Sequence, residues 1–314
     1  MTMLGRNCPL RYRYGAAAIA TAPEHAADTV YVIGGLYGNL PALATIEALA
    51  AAEAGPVRLV FNGDFNWFDV DHRAFQTLNA RVLRHHALLG NIEAELAPEA
   101  DDAGCGCAYP AAVGADTVAR SNLIHARLKA TAARHPDLLA RLCALPMFAR
   151  YRVGDLRVGI VHGDAESLAG WRFAADTPDS AGERRWFATA CAEAGVDLIA
   201  SSHTCLPALR RAPDTARPCC LINNGAAGMP NFSGLRCGVI SRIATTASPH
   251  APLYGLRLGG AHIDALAVPY DEGAWEAAFL ANWPAGSPAW QSYYRRMTEG
   301  PDWDIARATG AGRG

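Results

Sequence analysis

Arg58-Leu59-Val60-Phe61-Asn62-Gly63-Asp64 is the stretch that decides the fold. An apolar, strand-like run stops at a glycine and a carboxylate. The same punctuation recurs three times. Ala87-Leu88-Leu89 runs into Gly90-Asn91-Ile92-Glu93, Val158-Gly159-Ile160-Val161 into His162-Gly163-Asp164, and Leu198-Ile199-Ala200 into Ser202-His203-Thr204-Cys205. Strand ends in an open α/β sheet face one crevice, where such folds bind ligands. One carboxylate, one amide oxygen and two imidazoles gathered there suit a first-row divalent ion. One divalent transition metal, Mn, Fe, Zn or Ni, is therefore the expected cofactor among these clusters.

Working outward, Thr29–Ile33 is a β-branched run followed by a helical pattern from Pro41 to Ala54. A helix from His72 to His85 leads to the strand at Ala87, and this alternation predicts a layered α/β protein. Residues 117–145 read as two helices split at His135-Pro136, with Leu123, Leu128, Leu138, Leu139 and Leu142 as core candidates. Arg157–Val161, Gly182–Ala194 and Asp197–Ala200 repeat the strand–helix–strand rhythm. From Cys219 to Tyr270 the pattern turns mostly to strands, and 272–296 is aromatic-rich and partly helical. Residues 309–314 read as disordered. The expected organisation is an N-terminal extension over 1–28, a main domain over 29–271 with a helical insertion at about 101–150, and a C-terminal tail over 272–314.

The composition excludes several function classes. The chain has 314 residues, 51% hydrophobic and 18% charged, with a formal net charge of −2. Without a Lys/Arg-rich block, neither a nucleic acid polymer nor an anionic membrane is an expected partner. The N-terminus lacks a continuous apolar segment ahead of a cleavage site, so a cytoplasmic protein is expected. Nine cysteines lack paired Cys-x-x-Cys spacing and are expected as buried or free thiols. The oligomeric state is not legible.

Taken in order, the clusters resemble the calcineurin-like metallophosphoesterase superfamily, in particular its short bacterial branch. The resemblance runs through Gly35-Leu36-Tyr37-Gly38-Asn39, Gly63-Asp64, Gly90-Asn91-Ile92, His162-Gly163, Ser202-His203-Thr204-Cys205 and Asn223-Asn224-Gly225-Ala226, and covers about residues 29–271. It implies a four-layer α/β/β/α metallophosphoesterase sandwich. It also implies two metal sites. The second of these keeps all its ligands at Asp64, Asn91, His162 and His203. The first falls on Gly35, Tyr37, Asp64 and Cys205, and is broken. The family's catalytic histidine falls on Ile92.

Three functions remain open at this point. One is a divergent one-metal hydrolase acting on a phosphoester. Another is a pseudoenzyme that binds a small phosphorylated molecule, a nucleotide or a protein partner without turnover. The last is a metal-dependent enzyme of another chemistry that uses Cys205. Weak candidates for acid–base work are Glu93, Asp164 and Cys205, each with a structural role as the competing reading: a helix first-turn acid, a turn residue and an apolar filler. Tyr37, with its hydroxyl on Asp64, Trp67 and Arg172 are candidates for binding substrate, Arg172 as the cation for a phosphate. Aromatic groups at Trp67-Phe68, Trp171-Arg172-Phe173 and 290–296 would rim the crevice.

Overall fold

Every side chain of Thr29–Ile33 is buried, and alternation divides them between two cores. Val30 and Val32 point to one, Tyr31 and Ile33 to the other. That division is the architecture in miniature. The structure, a computed structural model, describes residues 4–97, 103–177, 179–212 and 219–310.

Twelve strands form two six-stranded sheets. The first joins β1 (Glu24–Ala26), β5 (Phe148–Val153), β6 (Leu156–Val161), β7 (Leu198–Ser201), β8 (Ala208–Arg211) and β9 (Cys220–Asn223) in the order β1-β5-β6-β7-β9-β8. The second joins β2 (Thr29–Ile33), β3 (Val57–Asn62), β4 (His86–Leu88), β10 (Gly238–Ala244), β11 (Tyr254–Leu258) and β12 (Ala261–Val268) in the order β11-β12-β10-β2-β3-β4. Pairings β2–β3, β3–β4, β6–β7 and β7–β9 are parallel, so the ends of these strands emerge together.

Between the sheets Val30, Val32, Val60 and Leu88 meet Tyr151, Val158, Ile160 and Leu198. Helices α1 (Ala16–Thr21) and α7 (Ala181–Ala194) cover the first sheet through Ile19 and Phe187. The second sheet is covered by α2 (Leu40–Ala51), α3 (His72–Val82), α5 (Ala115–Ala132), α8 (Glu272–Asn282) and α9 (Pro288–Glu299), packed on Tyr31, Leu59 and Phe61. The result is the four-layer α/β/β/α sandwich. Short helices α4 (Asn91–Ala94), α6 (Pro136–Cys143) and α10 (Ile305–Thr309) complete the described elements. The entry to α2 follows the sequence reading, with Asn39 Oδ1 accepting from the Ala42 N–H at 2.9 Å and Pro41 in the first turn.

Several expectations are corrected. Leu123 lies on the outer face of α5 and is 59% exposed, so it is not a core residue. Cys191 and Cys219 are not free thiols but form a disulfide between α7 and the residue before β9, with Cα atoms 6.4 Å apart. Of the expected disordered end, Thr309 closes α10, Gly310 is its left-handed cap, and 311–314 lie outside the described residues. Residues 101–102 of the expected insertion also lie outside them. Strands β1, β5 and β8 were not anticipated; β5 and β8 are each one arm of an antiparallel pair. Among the described residues no helix is long and apolar enough to cross a membrane.

One buried ion pair stands under the helical layer of the second sheet. The fully buried Arg242 donates to Glu53 at 2.6 and 3.0 Å and to Asp264 at 3.2 Å. Glu53 also accepts from the Tyr31 hydroxyl at 2.7 Å. Removing one member of such a group strands the others without solvent. Arg242→Met is expected to destabilise the protein by about 3–5 kcal/mol, measured as a lowered midpoint in denaturant unfolding.

Candidate metal centre

The four strand ends converge because the turns after them are tight. Gly63 follows β3 with φ +76°, and a Cβ there would lie 2.5 Å from the Gly90 Cα and 2.7 Å from the His162 ring. Only glycine lets the ends of β3, β4 and β6 approach so closely. Asp64 comes next, then Asn91 on the first turn of α4, His162 just past β6 and His203 just past β7. All four are buried.

Their donor atoms meet at His162 Nε2. Asn91 Oδ1 lies 3.1 Å from it, His203 Nδ1 3.2 Å and Asp64 Oδ2 3.3 Å. Asp64, His162 and His203 form a metal-capable group, each offering an atom within 4.8 Å of the others. A first-row ion with ligands at about 2.1 Å places neighbouring donors about 3.0 Å apart at right angles and about 3.4 Å apart at tetrahedral angles. The observed spacings fall inside that interval.

The polar atoms behind the donors settle which lone pairs face the centre. His162 Nδ1 contacts the Asn62 carbonyl at 2.8 Å, and His203 Nε2 contacts that of Cys107 at 3.1 Å. A carbonyl only accepts, so both of these nitrogens carry hydrogen. Asn91 Nδ2 donates to the Cys105 carbonyl at 2.9 Å, which turns its Oδ1 inward. His203 therefore turns a lone pair toward the centre, and His162 Nε2, beside the Asp64 carboxylate, either carries a proton or faces a positive ion. This arrangement is the one expected behind metal-bound histidines.

The charges agree. Burial pushes the Asp64 carboxyl upward, but His162, His203 and the Ile92 N–H together hold it below the usual carboxylate range. Burial opposes protonation of His162, yet Asp64 raises it above the ordinary imidazole value. His203 is lowered to about 3 by burial and by His162, and is neutral.

The opposite half of the crevice is filled. The Tyr37 ring lies over Gly35, where an added Cβ would meet its Cζ at 3.0 Å. Its hydroxyl contacts Cys205 Sγ at 2.9 Å and not Asp64, which corrects the expectation. Gly35 also has φ +65°, a backbone unsuited to a larger residue. Trp67, Tyr109, Trp171 and Tyr293 wall what remains, a cavity of about 40 Å³ that also touches Asp64, Ile92, Cys107, His203 and Cys205. Three of the four non-glycine residues with positive φ, Tyr37, Asp64 and Cys205, line this cavity, and the other, Ala108, follows Cys107. Strained backbone of this kind gathers at ligand sites.

The remaining candidates lie elsewhere or act structurally. Arg172 does not face the crevice: its guanidinium forks onto Glu183 at 3.1 Å and stacks 3.7 Å over Trp186, beside a separate 530 Å³ cavity. Asp164 braces its own loop, accepting from the N–H groups of Glu166, Ser167 and Arg172 at 2.9, 3.1 and 3.2 Å. Glu93 accepts from the N–H groups of Asp64, Phe65, Asn66 and Gly90 at 2.8, 3.1, 3.2 and 3.3 Å. Phe173 belongs to the core under α7, not to the rim. The sequence reading missed Cys105 and Cys107, whose carbonyls, not their thiols, orient two ligands, and Tyr109. The Gly-Cys loop was visible, but nothing in it distinguishes a carbonyl role from a thiol one.

The chain is similar to a metallophosphoesterase from Sphaerobacter thermophilus, with a TM-score of 0.55 and 17% identity over 87% of this chain and 100% of that one. It is similar also to a hypothetical protein from Pyrococcus horikoshii OT3, with a TM-score of 0.57 and 15% identity over 88% and 99%. The fold is the metallophosphoesterase fold. No protein-family model and no curated protein matches the chain.

Burial and the nearby Asp64 charge push Glu93 up to about 7, against its donor N–H groups. Every hydrogen-bonding group within its reach is an N–H donor, so an amide at position 93 would turn a donor against donors. Glu93→Gln is accordingly expected to destabilise the protein by about 1–3 kcal/mol, read by thermal unfolding. A variant of unchanged stability would return Glu93 to the list of catalytic candidates.

Proposed function

We propose that this metallophosphoesterase-fold protein holds a single divalent metal ion on Asp64, Asn91, His162 and His203 and is catalytically silent toward phosphoesters. The observation that carries this reading is the 40 Å³ cavity. Sites for small molecules span roughly 300–1,000 Å³, whereas this space suits an ion's remaining ligand water and little more. The place of the family's first metal is taken by the Tyr37–Cys205 contact, and Ile92 stands where the family's catalytic histidine falls. Arg296 of α9 donates to the Cys205 carbonyl at 2.7 Å and to that of Pro230 at 3.1 Å, tying the covering helix to the crevice.

When bound, the ion would supply a fixed positive charge and Lewis acidity beside Asp64. The chain's own residues do the rest. Asn62, Cys105 and Cys107 carbonyls orient the ligands, and the aromatic wall excludes bulk water. The N/O donor set suits Mn, Fe, Zn or Ni. A one-metal hydrolase would need α9 to move away, breaking both Arg296 hydrogen bonds and the Tyr293 contacts with Trp67 and Phe68. A thiolate chemistry at Cys205 is disfavoured by burial, which raises that thiol despite Arg296 nearby.

Elemental analysis of protein purified without chelator tests the reading, paired with an aryl phosphate assay in Mn²⁺. About one metal per chain is expected, with only background turnover. Because an ion that binds the folded state stabilises it by mass action, EDTA should lower the melting temperature of the wild type. It should not do so for His203→Ala, which also should purify without metal. Two ions per chain, or Mn²⁺-stimulated turnover abolished in His203→Ala, would overturn the proposal.

A further inference from the structure

Along most of its length the space between the two sheets is apolar, but at one lateral mouth it turns cationic. The edge strands there are β1 of the first sheet and β4 of the second. On β3, Arg58 lies two residues before Val60 and so on the same, inward face. His86 pairs with Val60 across β3–β4, and His25 pairs with Tyr151 across β1–β5. Tyr151 is itself an inter-sheet core residue. Arg84 and His85 arrive from the turn after α3. Together with Glu24 these residues line a groove of 560 Å³.

The rings are ordered by contact with one another. His86 Nδ1 lies 2.7 Å from the Tyr151 hydroxyl, and the His25 ring sits 5.1 Å from His86 and 5.2 Å from Tyr151. The arginines differ from their neighbours. Arg150 and Arg152 of β5 are taken by Glu24 at 3.4 and 3.2 Å. Arg58 and Arg84 have no carboxylate partner among the described residues. Elsewhere several guanidinium groups of this slightly acidic chain are paired, as Arg81 is with Glu47, Arg157 with Asp197 and Arg236 with Glu272. Two guanidinium groups without a carboxylate partner thus stand with three imidazoles around one groove, whose one carboxylate, Glu24, is already engaged by Arg150 and Arg152.

We infer that this groove is a second ligand site, distinct from the metal centre, and that it takes a small phosphorylated molecule with its phosphate between Arg58 and Arg84. Guanidinium forks match phosphate oxygens in pairs. The volume lies within the range of small-molecule sites. The Tyr151 ring, which also lines the groove, gives the rest of such a molecule a surface to cover. His86 is lowered by burial and by His25, and a bound anion would oppose both effects.

The test is isothermal titration of inorganic pyrophosphate into the full-length protein after dialysis against EDTA, so that no bound metal contributes. One equivalent is expected to bind, and Arg58→Ala with Arg84→Ala to weaken it at least about tenfold. Both residues are on the surface, and circular dichroism should show the variant folded. Absence of binding, or unchanged affinity in the double variant, overturns the inference. So does a variant that self-associates by light scattering while wild type ignores pyrophosphate, because the charges would then only guard the sheet edges. Failure here leaves the metal reading untouched, since the assay is run without metal.

Discussion

Everything around the crevice depends on one atom, Nε2 of His162. Three acceptors, from Asp64, Asn91 and His203, lie within 3.3 Å of it. A proton on that nitrogen can point at only one of them at a time. A metal ion would satisfy all four donors together. The backbone carbonyls of Asn62, Cys105 and Cys107 fix this choice from behind, because each holds a ligand in the orientation that aims its lone pair inward. Charge alone permits either occupant. It is the number of acceptors around one hydrogen that favours the ion.

The other half of the crevice is filled by side chains held in place by the fold. Tyr37 and Cys205 keep left-handed backbone, at φ 58° and 62°, as Asp64 does at 54°. Such conformations persist only where the surroundings over-determine them. Here the surroundings are packed aromatics. The Tyr37 ring contacts Phe68, which in turn meets Phe279 and Tyr293 from α8 and α9. The C-terminal helices are thus part of the core over the crevice, with Phe279 and Trp283 fully buried. Opening this half would expose that cluster, and burying large aromatics is among the stronger contributions to stability.

The sandwich was legible because its signals are local. Strand runs such as Val57–Asn62 end in glycine and polar residues, and α2 begins with Asn39 and Pro41 as capping chemistry requires. The convergence of Asp64, Asn91, His162 and His203 was legible for the same reason, since each sits at a strand end. What the sequence did not disclose depends on long-range approach. Arg172 was a plausible cation for the crevice, yet Glu183, eleven residues on, and Trp186 hold it on another face. The Cys191–Cys219 pairing needs the packing of α7 against the start of β9, which no spacing reveals. Leu123 failed because α5 is covered on one side only, and helical periodicity does not say which apolar residue falls off the stripe. The tail read as part of an aromatic rim at 290–296, and Tyr293 does line the cavity; what the sequence did not disclose is that Arg296 ties α9 to the Cys205 carbonyl and so closes the crevice.

The ligands also have a topological meaning. Asp64 and Asn91 follow β3 and β4 of one sheet, while His162 and His203 follow β6 and β7 of the other. An ion held by all four would join the two sheets at the edge where their parallel strands end, across sequence separations as large as that from Asp64 to His203. Linking points far apart in the chain restricts the unfolded ensemble more than linking near ones. Burial also leaves Asp64 with no solvent to stabilise its charge, so the ion would offset a desolvation that His162 otherwise offsets only by holding a proton. Both arguments assign the metal a structural task that needs no substrate and no second ion. A centre of this kind would need no room for a phosphoester, which is consistent with a crevice of only about 40 Å³.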